Sequence, residues 1–458
     1  MSGIDRAREN RLTLEKLKQI MLDKGVERLF FKVLGTNNNS KQQIYLGGDF
    51  SAISIIPTGD FVSSESGSKK PAIKEGSKKL IGAVDLSWID SDGALSPAPY
   101  SKLILYPQYP EVRFSGFLRG SPNGPSDLLS YEKRGNDDGR VLFLGIANEG
   151  KVIAYTSSPE AVITEEIRAS DKWECKGVLC EIPLDAVPLN SAVRKSRLLA
   201  ELSRIHGSGW ITGKRLNNEG NILSCNASNC GGYTLEAELG VRPNGYSEPD
   251  FLGWEVKQYA VKDHAKINNG RITLMTPEPD GGYYVDNDLM MFMKRYGYLK
   301  DDKYNFNGYH KYGKRQEKTG LLLGTLGFDT KSGKITDADG CLFLADYEAN
   351  FAASWSFAKL LDHWKIKHAE AVYVPTLTKK NGDRSFYFGD TVKLGTGTNF
   401  EKFLKSMVSQ MIIYDPGSRI RNVSTKPEPK KRNQFRMAVK DLSGLYTSFE
   451  EVSVKVVP

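Results

Sequence analysis

The stretch Pro249-Asp-Phe-Leu-Gly-Trp-Glu-Val-Lys257 decides how the second half of the chain folds. Its last part is typical of a β-strand, in which alternate side chains share a face, so Glu255 and Lys257 project together while Val256 enters the core. Asp250, just before that strand, can bring its carboxylate to the same point. Carboxylate oxygens are the ligands that Mg²⁺ prefers, and a metal held there polarises a phosphate ester and lowers the pKa of a bound water. Lys257 can orient that water or stabilise charge on the phosphate.

The Glu-x-Lys triplet alone carries little information, because the chain contains four of them, beginning at Glu149, Glu174, Glu255 and Glu428. Only the triplet at Glu255 has an acidic residue five positions upstream, an apolar middle residue and a strand-like context. The alternative interpretation of this stretch is an edge strand with solvated charges. The flanking sequence decides between the two.

A further acidic residue for the same site precedes this strand. The run Gly231-Gly-Tyr-Thr-Leu-Glu-Ala-Glu-Leu-Gly240 predicts a glycine-rich turn followed by a helix, and it places Glu236 fourteen residues before Asp250. Glu238 is the rival for the helix position. The two glutamates are two residues apart, about 200° round a helix, so both cannot face one metal ion.

Four blocks occur in order along the second half of the chain. The glycine-rich turn with its Leu-Glu helix comes first, and the Pro-Asp-Phe-x-Gly-x-Glu-x-Lys stretch follows. The run Arg-Ile-Thr-Leu-Met-Thr-Pro-Glu-Pro at 271–279 is next, and the segments 367–375 and 413–417 complete the series. In this order the blocks resemble the MvaI/BcnI restriction endonucleases and their relative, the mismatch-repair nickase MutH, over residues 196–425.

The resemblance implies a PD-(D/E)xK nuclease in which Glu236 lies on a helix and Asp250, Glu255 and Lys257 lie on a hairpin. It implies that Asp250, Glu255 and Glu236 bind Mg²⁺, and the family spacing favours Glu236 over Glu238. It also implies double-stranded DNA as the substrate, cut at a short C/G-rich site of the CCWGG class. The enzyme would be a monomer that nicks the two strands in turn, with a cognate DNA methyltransferase in the same prokaryotic system.

Length and texture predict a multidomain protein. A chain of 458 residues is too long for one ordinary domain. A helical pattern at 5–24 is followed by short β-rich runs separated by turn residues, which predicts an N-terminal β-barrel over 1–165. Residues 166–195 are interpreted as a linker. Residues 196–458 mix helical and strand patterns, which predicts a C-terminal α/β domain with the restriction-endonuclease-like PD-(D/E)xK fold.

Two polar segments of the first domain are candidates for DNA contacts, although each can also be an ordinary surface loop. Residues 31–43 contain amides and lysines after a strand, and residues 113–122 place two arginines among small residues. Asn and Gln can read adenine, Arg can read guanine, and Lys and Ser suit phosphates. The order of these segments, with Arg-Gly-Ser-Pro at 119–122, resembles the DNA-binding pseudobarrel of the EcoRII restriction enzyme. Carried over, its two arms are Lys32, Asn37, Asn38, Lys41, Gln43, Arg113, Ser115 and Arg119.

Two histidines and two regions are further candidates. His264 follows the strand of Glu255 closely and can assist catalysis through the scissile phosphate or contact it, although a lone histidine can equally be a packing residue. His368 is a candidate for a DNA contact. The basic, aromatic region 303–315 and the loops near 376–390 are candidates for base readout in the second domain.

Composition sets the remaining bounds. The formal net charge of +8 suits a polyanionic partner, but many proteins without such a partner share it. No apolar run reaches the length of a membrane span, and the charged N-terminus is unlike a secretory signal, so we expect a cytoplasmic protein. The pairs Cys175/Cys180 and Cys225/Cys230 are spaced more widely than the usual zinc ligands, which favours free thiols.

Three functions compete at this level. The first is a two-domain restriction endonuclease, the second a MutH-like repair nickase recruited by partner proteins, and the third a DNA-binding protein with a degenerate nuclease fold. Intact Glu236, Asp250, Glu255 and Lys257 argue against the third. A separate DNA-reading domain favours the first over the second.

Overall fold

The structure, a computed structural model, describes residues 6–36, 42–48, 50–65, 78–106, 111–134, 138–170, 173–184, 191–227, 229–242, 249–364 and 370–455. The chain divides into two compact units, Met1–Val193 and Arg194–Pro458. None of the helices within the described ranges is long and apolar enough to cross a membrane.

The first unit is built mainly from short strands. Its helices are α1 Arg6–Glu9, α2 Leu14–Asp23, α3 Ser126–Leu129 and α4 Val162–Arg168. Its strands are β1 Val26–Leu34, β2 Ile44–Tyr45, β3 Val62–Glu65, β4 Lys78–Ala83, β5 Leu86–Ile89, β6 Leu95–Pro97, β7 Lys102–Tyr106, β8 Glu111–Ser115, β9 Arg140–Ala147, β10 Val152–Ser157, β11 Glu174–Lys176 and β12 Leu179–Ile182. Thr13 starts α2 by accepting a hydrogen bond from the Lys16 N–H, so the helix predicted over 5–24 is divided in two.

The strands of this unit form two sheets. Their orders are β11-β12-β1-β9-β10-β5-β6 and β2-β8-β7-β4-β3. One apolar core joins Phe31, Phe143 and Tyr155 of the first sheet to Met21 of α2 and Ile167 of α4. In the part of the chain that the structure describes, the end strands of neither sheet pair with each other, so we observe two open sheets where the sequence predicts a barrel. The DNA-binding pseudobarrel therefore stays a prediction.

The segment interpreted as a linker, 166–195, is largely part of the first unit. Its strands β11 and β12 form a hairpin, and β12 adds to the first sheet by pairing with β1. The side chains of Leu179 and Ile182 are only 1% and 2% exposed to solvent in this position. Burial of these two side chains draws the hairpin onto the sheet. The division between the units consequently falls after Val193.

The second unit mixes helices with several small sheets. Its helices are α5 Ser191–Gly207, α6 Cys230–Glu238, α7 Tyr283–Asp286, α8 Leu289–Tyr296, α9 Phe357–Trp364 and α10 Phe400–Val408. Its strands are β13 Ile211–Thr212, β14 Lys214–Leu216, β15 Ile222–Ser224, β16 Glu255–Ala260, β17 Arg271–Met275, β18 Tyr298–Leu299, β19 Lys303–Asn307, β20 Leu322–Leu326, β21 Phe328–Asp329, β22 Lys334–Ile335, β23 Cys341–Ala345, β24 Phe351–Ser356, β25 Glu370–Asn381, β26 Asp383–Phe388, β27 Thr391–Thr396, β28 Ile412–Tyr414, β29 Gly417–Arg421, β30 Glu428–Lys430, β31 Phe435–Ala438 and β32 Ser448–Ser453.

Strand β25 is the centre of the sheet that carries the candidate site. It pairs in parallel with β16, from Glu255 opposite Ala371 to Ala260 opposite Thr376. It pairs antiparallel with β26 and β27, which continue the sheet to β13 and β32. The face that carries Val256 packs against α5 and α6 in an apolar core with no measurable exposure at several positions. This core holds β16 and α6 in fixed positions relative to each other.

A second, aromatic core lies around β24 in the same unit. The fully buried ring of Trp355 meets Tyr414 and Phe435 edge-on, at centroid distances of 4.8 and 5.3 Å. Its indole N–H donates to the Pro277 carbonyl at 3.0 Å. One side chain therefore connects β28, β31 and the segment that follows β17.

Both cysteine pairs form disulfides, Cys175–Cys180 and Cys225–Cys230, and Cys341 is a free thiol. The prediction of free thiols at these four positions is wrong. The β11-β12 register places Cys175 directly opposite Cys180, and a short loop returns Cys225 to the first residue of α6. Neither juxtaposition can be read from the spacing of five residues alone.

Replacing Trp355 with alanine should destabilise the second unit by about 3–5 kcal/mol, because it removes a fully buried aromatic side chain and leaves the Pro277 carbonyl without its donor. Urea unfolding followed by hydrogen exchange in the segment 341–356 measures the change. Trp210→Ala, at a position 41% exposed, is the matched control and should cost under about 1 kcal/mol. Equal effects of the two variants would contradict the importance of this core.

Candidate active site

Asp250 and Glu255 face each other across a tight turn. Phe251 and Trp254 pair through two backbone hydrogen bonds of 3.0 and 2.8 Å. The two residues between them have φ angles of 49° and 83°. Positive φ at both central positions is typical of a type I′ turn, which reverses the chain within two residues. Asp250 and Glu255 are therefore the next pair outside the turn.

Asp250 is fixed by a hydrogen bond to the backbone of β16, and Glu255 pairs with Lys257. Asp250 Oδ2 accepts a hydrogen bond of 2.8 Å from the Val256 N–H, which fixes its carboxylate beside the start of strand β16. Glu255 is only 2% exposed, and its Oε1 forms an ion pair with Lys257 Nζ. The two side chains share one face of the strand, as the alternation of strand residues requires.

The charge of Lys257 depends on these carboxylates. Burial opposes the ammonium form, but attraction to Glu255, a hydrogen bond with the same residue, and the charges of Asp250 and Glu236 outweigh it and raise the pKa of Lys257. Lys257 is therefore protonated throughout the neutral pH range. The charges of Asp250 and Glu236 therefore act on the same ammonium group as that of Glu255.

Helix α6 brings Glu236 to this place. The helix approaches β16 so closely that a Cβ on Gly231 would lie 2.9 Å from the Gln258 side-chain oxygen. A residue larger than glycine would displace the Gln258 side chain from its place beside the helix. Gly231 is thus explained by packing, and not by a phosphate-binding turn.

Glu238 is directed elsewhere on the same helix. Its carboxylate pairs with Lys214 at 2.6 Å and with Arg204 at 3.4 Å, and Arg204 also donates to its backbone carbonyl at 2.7 Å. The buried Thr234 adds to this anchorage by accepting a hydrogen bond of 3.1 Å from the Lys214 N–H. Glu238 is thus engaged by these two cations, whereas Glu236 is the helix carboxylate whose charge raises the pKa of Lys257. The place of Glu236 in the site stays a prediction.

The donor set fits a hard divalent cation. Within the described ranges no group of three or more His, Cys, Asp or Glu side chains is already arranged to hold a metal. Asp250, Glu255 and Glu236 nevertheless supply only carboxylate oxygens, and Mg²⁺ is usually bound through one or two carboxylates together with waters and substrate phosphates. A cation, the Lys257 ammonium, already lies against Glu255, which shows that this position is suited to positive charge.

The structure does not bring His264 to these residues. Strand β16 runs about 16 Å from Glu255 to Ala260, and His264 lies beyond its far end. Its ring packs against Tyr387 at a centroid distance of 5.3 Å. Burial lowers the pKa of His264, although Asp390 opposes the shift, so the imidazole is neutral at pH 7. A role of His264 in a phosphate contact stays a prediction.

The candidate DNA contacts of the first unit divide into three groups. Lys32, Gln43 and Arg113 line one pocket, where Arg113 donates to the Gln43 side-chain oxygen at 3.0 Å. Ser115 ends β8 at a partly buried position, and Arg119 is exposed with its guanidinium 4.5 Å from the centre of the Tyr100 ring. Asn37, Asn38 and Lys41 lie outside the described residues, as does His368 of the second unit.

The region 303–315 contains a buried histidine that the sequence did not single out. His310 is fully buried, with its two ring nitrogens 3.0 Å from the Gly308 carbonyl and 2.9 Å from the Thr319 hydroxyl. Burial lowers the pKa of His310 to about 4, so the ring is neutral. Its two hydrogen bonds connect the ends of a basic loop, residues 308–320, in which Lys311, Lys314 and Lys318 are exposed.

The sequence analysis missed two charged residues beside the candidate active site and two that line the pocket of the first unit. Lys214 and Arg204 anchor α6, yet each lies more than twenty residues before Glu236 and has no motif around it. Arg134 and Arg140 line the same pocket as Lys32, from a different part of the first unit. Charged residues are frequent throughout the chain, so only spatial proximity distinguishes these four.

Replacing Glu255 with glutamine should lower the pKa of Lys257, because the largest interaction that offsets its burial is removed while Asp250 and Glu236 are kept. Titration of ¹³C-labelled lysine side chains by NMR measures this pKa. Glu149→Gln changes the same type of triplet at an exposed pair in the other unit and should leave the pKa of Lys257 unchanged. An unchanged pKa in the Glu255 variant would mean that the ion pair does not control the lysine.

Comparison with known proteins assigns the second unit. The model of the MvaI/BcnI restriction endonuclease family matches residues 199–446, more than half of the chain. Two solved structures are also similar to the chain, each over 57% of this chain and 97% of the other. They are the complex of restriction endonuclease MvaI with cognate DNA, at 16% identity and a TM-score of 0.42, and MvaI without DNA, at 15% and 0.30. Similarity of this size adds no weight to the family match, and no curated protein matches the chain.

Proposed function

Because the chain belongs to the MvaI/BcnI restriction endonuclease family, we propose that it is a type II restriction endonuclease that hydrolyses phosphodiester bonds of double-stranded DNA at a specific site. The observation that carries the proposal is the convergence of Asp250, Glu255 and Lys257 on one hairpin, with Glu236 on the adjoining helix. These are the groups that the PD-(D/E)xK reaction needs. The family assignment alone would be equally compatible with an inactive member.

We propose Mg²⁺ as the cofactor, held by Asp250, Glu255 and Glu236. When bound, the metal supplies a polarised scissile phosphate and a water of lowered pKa. Lys257 stays protonated beside the buried carboxylate of Glu255, so its ammonium group can stabilise the charge that develops on the phosphate oxygens. Val256 and the core behind it hold the strand rigid while the substrate is positioned.

Double-stranded DNA is the partner that this site requires. The loop 308–320 offers exposed Lys311, Lys314 and Lys318 together with the half-exposed ring of Tyr309. Lysine side chains suit phosphate contacts, and the loop 308–320 can place them against the duplex. The buried ring of His310 holds this loop in place. We further propose a short C/G-rich site of the CCWGG class, cleavage by a monomer that nicks the strands in turn, and a cognate methyltransferase.

The first unit is proposed to read DNA as a pseudobarrel. Support comes from Lys32, Gln43 and Arg113, which the sequence places in two separate arms and which line a single pocket. A cation, an amide and a guanidinium at one place suit contacts with phosphates and base edges. The apolar core of this unit is built from its own helices and sheet, so it can serve as a separate DNA-binding module.

Incubated with plasmid DNA and Mg²⁺, the wild-type protein should give discrete bands on an agarose gel. Glu255→Gln should reduce the rate by at least about 10²-fold, since it removes a buried metal-binding carboxylate. Glu149→Gln, in an exposed triplet of the same type, should cut like wild type. Nicked circles without further products would favour the repair-nickase alternative. Tight binding of DNA without any cleavage by wild type would refute the nuclease proposal.

Glu236→Gln should lower kcat by about 10²-fold and raise the Mg²⁺ concentration needed for half-maximal rate, because a metal-facing carboxylate is lost. Glu238→Gln is the matched control on the same helix. It removes the pair with Lys214 and should change kcat by less than about tenfold, with an unchanged Mg²⁺ requirement. The reverse result would assign the helix position to Glu238.

A further inference from the structure

The disulfide Cys225–Cys230 lies at the start of α6, the helix that carries Glu236. Cys230 is the first residue of this helix, and Glu236 follows within two turns of it. Cys225 comes directly after β15, and its N–H donates to the Gly213 carbonyl at 2.9 Å. The disulfide therefore joins the start of α6 covalently to the chain beside β14.

The start of α6 has this link in place of a side-chain cap. Within the described part of the chain, the N-cap residue Asn229 makes no capping hydrogen bond with its side chain. The Cys230 Sγ instead accepts a hydrogen bond of 3.0 Å from the Ala227 N–H, and the Thr234 hydroxyl donates to the Cys230 carbonyl at 2.6 Å. A helix of nine residues is too short to be stable alone, so its first turn is sensitive to the loss of an anchor.

The two sulfurs differ in their access to solvent. Cys230 has no measurable exposure, whereas Cys225 is half-buried and its neighbours Ser224 and Asn226 are exposed. An external thiolate can therefore reach the Cys225 Sγ, and the sulfur that leaves is that of Cys230. The leaving sulfur lies at the end of α6 where backbone N–H groups favour negative charge, and the Ala227 N–H already donates to it. This arrangement favours reduction by attack at Cys225.

We propose that Cys225–Cys230 is a site of thiol–disulfide exchange and that its reduction loosens the first turn of α6. The reductant is a dithiol. One of its thiolates attacks the Cys225 Sγ, the S–S bond breaks, and Cys230 leaves as a thiolate. The second thiolate then attacks the mixed disulfide, which releases Cys225 and closes the reductant into a cyclic disulfide. Two electrons and two protons pass from the dithiol to the two cysteines.

The consequence for the candidate active site rests on the proposed function. The far end of α6 stays fixed after reduction, because Glu238 keeps its pairs with Lys214 and Arg204. Glu236 lies between this fixed end and the loosened first turn. Its carboxylate then occupies a wider range of positions and binds Mg²⁺ less tightly. The exchange is thus a control on the helix that supplies Glu236.

Mapping of the thiols tests the exchange itself. The full chain is incubated with graded concentrations of dithiothreitol, quenched with acid, denatured and alkylated, and the labelled cysteines are identified by mass spectrometry. We expect Cys225 and Cys230 to become labelled together at concentrations at which circular dichroism shows a folded protein. Reduction of this pair only after the protein unfolds would overturn the proposal.

Hydrogen exchange tests the effect on the helix. In the reduced protein the amides of 230–238 should exchange at least about fivefold faster than in the oxidised protein, because the first turn can open. Cys225→Ser should exchange at the faster rate without reductant and should not respond to it. Equal exchange in the oxidised and reduced wild type would refute the loosening, and this comparison needs no variant to fold.

The other disulfide provides the matched control. Cys175–Cys180 closes the β11-β12 hairpin of the first unit. A double variant with Cys175→Ser and Cys180→Ser lacks this link and should keep the wild-type response of 230–238 to dithiothreitol. Loss of the response in the double variant would assign the effect to the wrong disulfide and refute the proposal.

Plasmid cleavage separates this proposal from the proposed function. Reduced wild-type protein should need at least about threefold more Mg²⁺ for half-maximal rate than oxidised protein, because Glu236 is held less firmly. The same Mg²⁺ requirement in both states would refute the effect on Glu236. Absence of cleavage in both states would refute the nuclease proposal alone, since hydrogen exchange still decides whether reduction loosens α6.

Discussion

The hydrogen bond from the Val256 N–H to Asp250 is the contact on which the candidate active site depends. It requires the chain to reverse between residues 250 and 255, and the turn does so with Leu252 and Gly253 both in the left-handed region. For leucine this conformation costs roughly 1–2 kcal/mol, so the surroundings must impose it. The burial of Trp254, at 3% exposure, is one such constraint. Strain at this turn is what brings two carboxylates to one point.

Burial makes the charges of this point strongly coupled. Glu255 is buried, and an isolated carboxylate would be costly in a buried position. The adjacent Lys257 ammonium offsets that cost. Helix α6 adds Glu236 from beside β16, where Gly231 lies against the side chain of Gln258. The contacts of Glu238 with Lys214 and Arg204 then fix the rotation of the helix. Strand β16 thus holds Asp250 and Glu255 and helix α6 carries Glu236, and the apolar core beneath them keeps the two elements in place.

The two units carry different kinds of charge. The second collects carboxylates around one lysine, an arrangement suited to a metal and to phosphate chemistry. The first places Lys32, Arg113, Arg134 and Arg140 along one pocket. Each has its own apolar core. A restriction enzyme needs both cleavage and recognition, and this separation of charge is consistent with that division of work.

Local patterns in the sequence determined the elements of the second unit and its four candidate residues. Alternation put Glu255 and Lys257 on one face, and ordered blocks around them pointed to the family that the match over 199–446 confirms. The family spacing favoured Glu236 over Glu238, and only the tertiary structure revealed the pairs of Glu238 with Lys214 and Arg204, which are distant in sequence. The same holds for β12, which a local pattern assigned to a linker although its buried side chains place it in the first sheet. Pairing of the cysteines was also beyond the sequence, because it depends on the register of the β11-β12 hairpin and on the path of the loop before α6, which the spacing alone does not encode. The residues of the pocket come together only through the long-range packing of β1, β2, β8 and β9.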